Sequence, residues 1–194
     1  MGFSLLLGAS AIPFGAAMAS QPDAPAAPAI PSKPAEPAHI VTLTAYNAVV
    51  GQTDDNPFET ASGAFSNPET VAARSQDLAD ELPFGTIIEL DGSNISSNAD
   101  WCGYSVVAPL IGYRVIEDTM NARFTNRLDV LFDTSANYVS PKGNSRNAAD
   151  VLGLCKGVTY RVVGHVGINH LPKTQGELAA LVSGKSSALA VAVK

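Results

Sequence analysis

The chain is poor in charge, in cations and in cysteine: of 194 residues only 15% are charged, with 12 Lys and Arg against 18 Asp and Glu, two cysteines and one tryptophan. The formal net charge of −6 argues against nucleic acid as a partner, because a phosphate backbone needs a positive surface. It equally gives no basis for a polybasic contact with a membrane surface. No apolar run is long enough to span a bilayer comfortably. The longest, Phe3 to Phe14, is followed by small residues ending in Ala17-Met18-Ala19. That triplet is an A-x-A cleavage pattern, so residues 1–19 are expected to be an export signal, with no stable membrane span left after cleavage. No Lys or Arg precedes the apolar stretch, which is unusual for such a signal. With two cysteines and no C-x-x-C, a zinc site is not expected, and neither is any other metal or cofactor. In an exported chain Cys102 and Cys155 are instead expected to form one disulfide. Closing a loop of this length contributes about 4 kcal/mol in the chain-entropy picture.

What the chain does contain divides it into four parts. In residues 20–39 proline recurs at every third position, Pro22, Pro25, Pro28, Pro31, Pro34 and Pro37, with Ala in most gaps. Proline at that period aligns along one edge of a polyproline II helix, so the segment is expected to be a semi-rigid Pro/Ala-rich linker. From residue 40 the pattern changes to short β-branched runs cut by Gly, Asn and Asp. Ile40–Val49, Thr86–Leu90, Tyr113–Glu117, Leu128–Phe132 and Val158–Val166 read as strands. Pro68–Leu82 reads either as a helix or as cover for a strand at Val71–Ala73. Asn147–Leu154 allows two helical turns behind an Asn or Ser cap, and a helical tail over 171–194 is expected to include Gln175–Val182. Five or six short strands with few helices predict a mainly β domain over 40–170, closed so that no strand edge is exposed.

The most informative stretch runs from Glu117-Asp118-Thr119-Met120-Asn121 to Arg127-Leu128-Asp129. It places one aspartate at the end of a strand and a second, eleven residues later, inside the next, so that both carboxylates can face one cleft. Other pieces accompany it in order: Thr44-Ala45-Tyr46, Thr60-Ala61-Ser62-Gly63 and Leu82-Pro83-Phe84-Gly85-Thr86. Together they resemble the 3D domain of cell-wall proteins, named for three aspartates, with its "TAY" strand, "TASG" loop, "hPhGT" turn and "DTGGAIKG…D" segment.

The resemblance spans about residues 40–167. It implies a six-stranded double-psi β-barrel with short helices, similar to the catalytic barrel of membrane-bound lytic transglycosylase A. It also implies an exported protein of the bacterial periplasm or envelope that acts on peptidoglycan glycan strands, cleaving the bond between N-acetylmuramic acid and N-acetylglucosamine. By position in the motif Asp129 is then the acid/base, Asp118 tunes and orients it, and Asp77 is a further helper. Tyr46, Thr60, Ser62, Asn121 and Arg127 are the candidate glycan contacts. Two departures stand out: Met120-Asn121 replaces the family's Gly-Gly, narrowing the cleft, and Phe124 occupies its Lys position. Plainer readings stay open. Aspartates at strand ends commonly cap turns or pair with cations, here Arg114, Arg123 and Arg127. The alternative functions for the barrel are a non-catalytic cell-wall glycan binder and a periplasmic partner-binding domain. Trp101 is expected to pack over the disulfide that it adjoins.

Overall fold

The computed structural model describes residues 38–53, 55–96 and 101–184. The export-signal segment, the Pro/Ala-rich linker up to Pro37 and the last ten residues of the expected tail lie outside them. Six strands close into a barrel: β1 (His39–Asn47), β2 (Val71–Arg74), β3 (Thr86–Asp91), β4 (Tyr113–Thr119), β5 (Arg127–Phe132) and β8 (Cys155–His165). Their order around the barrel is β1-β5-β2-β4-β3-β8. Two pairs are parallel, β1 with β5 and β2 with β4, and β2 lies between the partners β4 and β5. The two crossed connections therefore interlock, as a double-psi barrel requires. A hairpin of β6 (Asn137–Val139) and β7 (Ser145–Asn147) stands beside the barrel. Three short helices complete the fold: α1 (Tyr104–Ile111), α2 (Ala148–Leu152) and α3 (Gln175–Val182). The fold is mainly β with a closed six-stranded barrel, as expected.

The barrel interior follows from alternation along the strands. Val41 and Leu43, Ala72, Ile88 and Leu90, Ile116, Leu128 and Val130, Val158 and Tyr160 all belong to one buried cluster. Full burial of each aliphatic side chain contributes roughly 1.5–3 kcal/mol. Helices α1 and α2 add Val107, Ile111 and Leu152 to the same cluster. The ambiguous segment after Pro68 resolves as strand β2 followed by a 3-10 turn over Gln76–Leu78. Helix α2 starts as expected from its cap: the Asn147 side chain accepts from Ala149 N. Cys102 and Cys155 are bonded to each other, tying the start of β8 to the segment ahead of α1.

Two local features explain sequence signals. Gly85 has φ +86, and a Cβ there would meet the Val166 carbonyl oxygen at 2.2 Å. The turn that enters β3 therefore admits only glycine. Trp101 departs from its expected packing: it is 80% exposed and has φ 72. Its carbonyl is what is committed, accepting from Leu154 N at 3.2 Å where Gly153 allows close approach. The left-handed backbone at that contact turns the indole outward.

Candidate active site

The site is built on the outer face of the barrel by the register of four strands. Thr44 of β1 is paired with Asp129 of β5, and Asp129 in turn with Ala73 of β2. Directly opposed residues share a face, so these side chains point away from the Leu128–Val130 interior. Asp118 reaches the same face through a bulge. Ala72 pairs with Ile116 but Ala73 pairs with Asp118, leaving Glu117 as the extra residue in β4. Without that residue, Asp118 would alternate inward with Ile116 and Arg114; a bulge re-aims a side chain in this way. Asp118 and Asp129 thus flank Ala73 across two strand spacings, roughly 10 Å between backbones. The single methyl of Ala73 leaves the space between them open.

A cavity of about 530 Å³ fills that space, lined among others by Tyr46, Ala73, Asp118, Met120, Phe124 and Asp129. Its floor is made by Tyr46, Ala73 and Met120, members of a buried set that also holds Val71 and Leu131. Met120 packs into this floor at 7% exposure. Positive φ among non-glycine described residues is confined to Trp101 and Asn126, so the chain passes Met120-Asn121 without the left-handed backbone that glycine would permit there.

The two carboxyls differ in their partners. Asp118 accepts from the Tyr46 hydroxyl at 2.8 Å through Oδ2, and from Ala61 N at 3.0 Å and Thr119 N at 2.8 Å through Oδ1. Both of its oxygens are occupied and its orientation is fixed. Asp129 Oδ1 is buried and has no hydrogen-bond partner. Burial pushes the Asp129 carboxyl up to about 7, and the charge of Asp118 acts in the same direction. The Thr44 hydroxyl and the Arg127 guanidinium oppose that shift. Burial, followed by the charge of Asp118, also pushes the Tyr46 hydroxyl well above its ordinary value. Tyr46 therefore remains a donor to Asp118 throughout the neutral range. Among the described residues neither aspartate forms an ion pair with Arg114, Arg123 or Arg127; the ion pairs there are His39–Glu81 and Arg161–Glu89.

The other expected site residues fall in different places. Asn121 lines the cavity, and its Oδ1 accepts from Arg123 N at 3.1 Å. Arg127 lies two residues before Asp129 on β5, stacked on Phe124 with its guanidinium carbon 4.5 Å from the ring centre. Tyr46 is 8% exposed and orients Asp118, leaving little ring face for a sugar to stack on. Thr60 and Ser62 are bonded to each other at 3.0 Å, and Ser62 donates to Glu117 Oε2 at 2.5 Å. They anchor the 60–63 loop against β4, so that its Ala61 N–H reaches Asp118. Asp77 lies apart, exposed in the 3-10 turn, accepting from Asn126 N at 2.8 Å. The hydroxyl of Ser75 holds its carboxyl below the ordinary range.

A neighbouring cavity of about 590 Å³ is lined by Phe65, Val71, Val115, Glu117 and Ile168, among others. Its one aspartate or glutamate, Glu117, accepts from Ser62 through Oε2, while its Oε1 is buried without a hydrogen-bond partner among the described residues and burial raises its pKa. Two contributors to the site carried no warning in the sequence. Ala73 is an alanine in a short apolar run, and only strand pairing shows that it separates the two carboxyls. Phe124 carries a guanidinium on each of two neighbours, and its motif position suggested only a lost lysine. No family model matches the chain, and no curated protein matches it either.

Proposed function

We propose that the protein is a peptidoglycan-cleaving enzyme of the lytic-transglycosylase type, with Asp129 as its single acid/base. The observation that carries this reading is a carboxyl with one buried oxygen bare of hydrogen-bond partners and a pKa near 7 in the lining of an open cavity, beside a second carboxylate whose oxygens are all engaged. Such a group holds a proton at neutral pH, which a general acid must do. Protonated Asp129 gives its proton to the glycosidic oxygen as the bond from C1 breaks. The sugar's own 6-hydroxyl then attacks C1, and Asp129 takes up the hydroxyl proton. The product is a 1,6-anhydro sugar, no water is consumed, and the acid ends as it began. One carboxyl serves both steps, whereas a hydrolase needs two at a separation set by its stereochemistry. Asp118, locked by Tyr46, Ala61 and Thr119, raises the Asp129 pKa and holds the site's geometry. The disulfide fits an oxidising compartment, in keeping with an exported protein of the periplasm or envelope acting on glycan strands.

The test is incubation of purified peptidoglycan with the full chain and with D129N, followed by mass spectrometry of the soluble products. The wild type is expected to release anhydro-sugar fragments, and D129N to release them at least about 100-fold more slowly. Equal release by both proteins would remove Asp129 as the acid. No release by either, with the protein retained on the wall, would favour a glycan-binding barrel.

A further inference from the structure

We propose that Arg123 and Phe124, in the lining of the Asp118–Asp129 cavity, and Arg127, stacked on the same ring, form an anion subsite that reads a carboxylate on the sugar substrate. This inference rests on the glycan reading above. Arg123 and Phe124 line the cavity, and Arg127 shares the outer face of β5 with Asp129. The Phe124 ring carries both guanidiniums, Arg123 at 4.7 Å and Arg127 at 4.5 Å from its centre. Cation–π stacking of this kind holds the planar forks in place.

Neither guanidinium has a carboxylate partner among the described residues, whose ion pairs lie elsewhere. The chain has half again as many acidic as basic side chains, yet two of its few cations stand together, unpaired, beside one ring. The Arg127 Nε is buried with no hydrogen-bond partner, a cost that nothing else in the described residues recovers. A carboxylate accepts two parallel N–H bonds from an arginine fork, and both forks here are held on one ring with no carboxylate partner of their own among the described residues. The subsite also bears on the acid. The groups facing Asp129 are Thr44 and Tyr46 from β1, Asp118 from β4, and Arg127 from its own strand. Arg127 alone supplies positive charge favouring the ionised form. A carboxylate bound to Arg127 offsets that pull, so an occupied subsite favours the protonated acid at the moment it is needed.

The probes are N-acetylmuramic acid and N-acetylglucosamine, two sugars that differ by a lactyl carboxylate. Each is titrated at low salt against the full chain and followed by NMR shifts. N-acetylmuramic acid is expected to bind about 10-fold more tightly, the size of one charge-assisted contact, and added salt should erode the difference. R123Q, at an exposed position that tolerates the change, should reduce the preference, and R123Q/R127Q should abolish it. R161Q removes an equal charge from a pair with Glu89, away from the cavity, and should leave the preference intact. Equal affinities for the two sugars, a preference that survives R123Q/R127Q, or no saturable binding of either sugar would overturn the subsite. Fragment release from peptidoglycan without any preference would sink the subsite alone; a preference without release would sink the cleavage reading alone.

Discussion

Two charged side chains on the barrel strands, Arg114 and Asp129, have opposite surroundings. Arg114 is wholly buried on the inner side of β4, where its guanidinium donates to five backbone carbonyls. These are Leu110 and Ile111 at 2.5 and 2.6 Å, Pro68 at 2.7 Å, Leu131 at 3.1 Å and Val71 at 3.4 Å. It also lies 5.6 Å from the centre of the Phe132 ring. Burial lowers its pKa to about 9, which leaves it cationic at neutral pH. Asp129 lies on the outer side of β5, under an open cavity, with one oxygen bare of partners. The contrast separates a structural charge from a chemical one. Arg114 spends its bonding capacity on carbonyls that the end of α1 and strands β2 and β5 leave available. Asp129 keeps capacity in reserve, and burial pays for it with a raised pKa.

The largest effect should come from breaking the satisfied charge. R114M fills part of the same volume but leaves carbonyls from Pro68, Leu110 and Ile111 without their donor inside the barrel. Each buried group left unpaired costs about 1–3 kcal/mol, so a loss of at least about 4 kcal/mol in denaturant unfolding is expected. R114K, with a single point charge in place of a fork, should recover only part of it. If R114M were as stable as the wild type, the carbonyl cage would not be a structural device and the comparison would fail.

Asp129 should behave in the opposite sense. Its folded pKa of about 7 lies above the unfolded value near 3.8, so the native state holds a proton that the unfolded chain releases between those limits. The stability linked to this group is therefore fully present below about pH 4 and is lost as pH rises through about 7, by an amount on the order of 4 kcal/mol. D129N cannot ionise. It should flatten this part of the pH–stability curve and make the protein more stable than wild type at pH 8, while abolishing turnover. A variant that lost stability at pH 8 would show that the carboxylate is satisfied after all. Catalysis should fall about tenfold per unit above pH 7 in the wild type, as the protonated fraction of the acid falls.

These two residues also mark how far the sequence could be read. The strands were legible because inner residues such as Leu128, Val130 and Phe132 alternate with outer ones, and Asp129 stood out as a charge inside such a run. The short helix α2 was legible from Asn147, whose cap is local chemistry. Helix α1 escaped because Pro109 lies inside it and breaks the expected pattern. The closed strand order and the bulge at Glu117 were beyond periodicity, since both depend on pairings between strands distant in sequence, such as Ala73 with Asp118. That is why Ala73 was invisible as part of the site. The same limit applied to Thr60 and Ser62: their hydroxyls looked available, and only the fold brings Glu117 to meet them. Arg114 looked like an ion-pair candidate for the aspartates, but the bulge sends Asp118 to the face opposite its own.

Asp77 sharpens the comparison from its weak end. It is a carboxylate that the three-aspartate pattern would draw into catalysis, yet it is exposed. Its Oδ2 accepts from Asn126 N, and Ser75 holds its pKa low. Asn126 has φ 48, and its N–H bond to Asp77 fixes the turn that launches β5, with Ser75 Oγ accepting from Arg127 N in the next step. Because its folded pKa is depressed, the stability tied to Asp77 is present above its unfolded pKa and is lost as pH falls through the folded value. D77N keeps an oxygen for the Asn126 N–H and removes only the charge. The expected change at neutral pH is less than about 1 kcal/mol in unfolding, with fragment release from peptidoglycan within about twofold of wild type. A drop in release as deep as that of D129N, at unchanged stability, would return Asp77 to the chemistry. The dividing line would then no longer be the bare oxygen that Asp129 presents in the same cavity as a fully engaged Asp118.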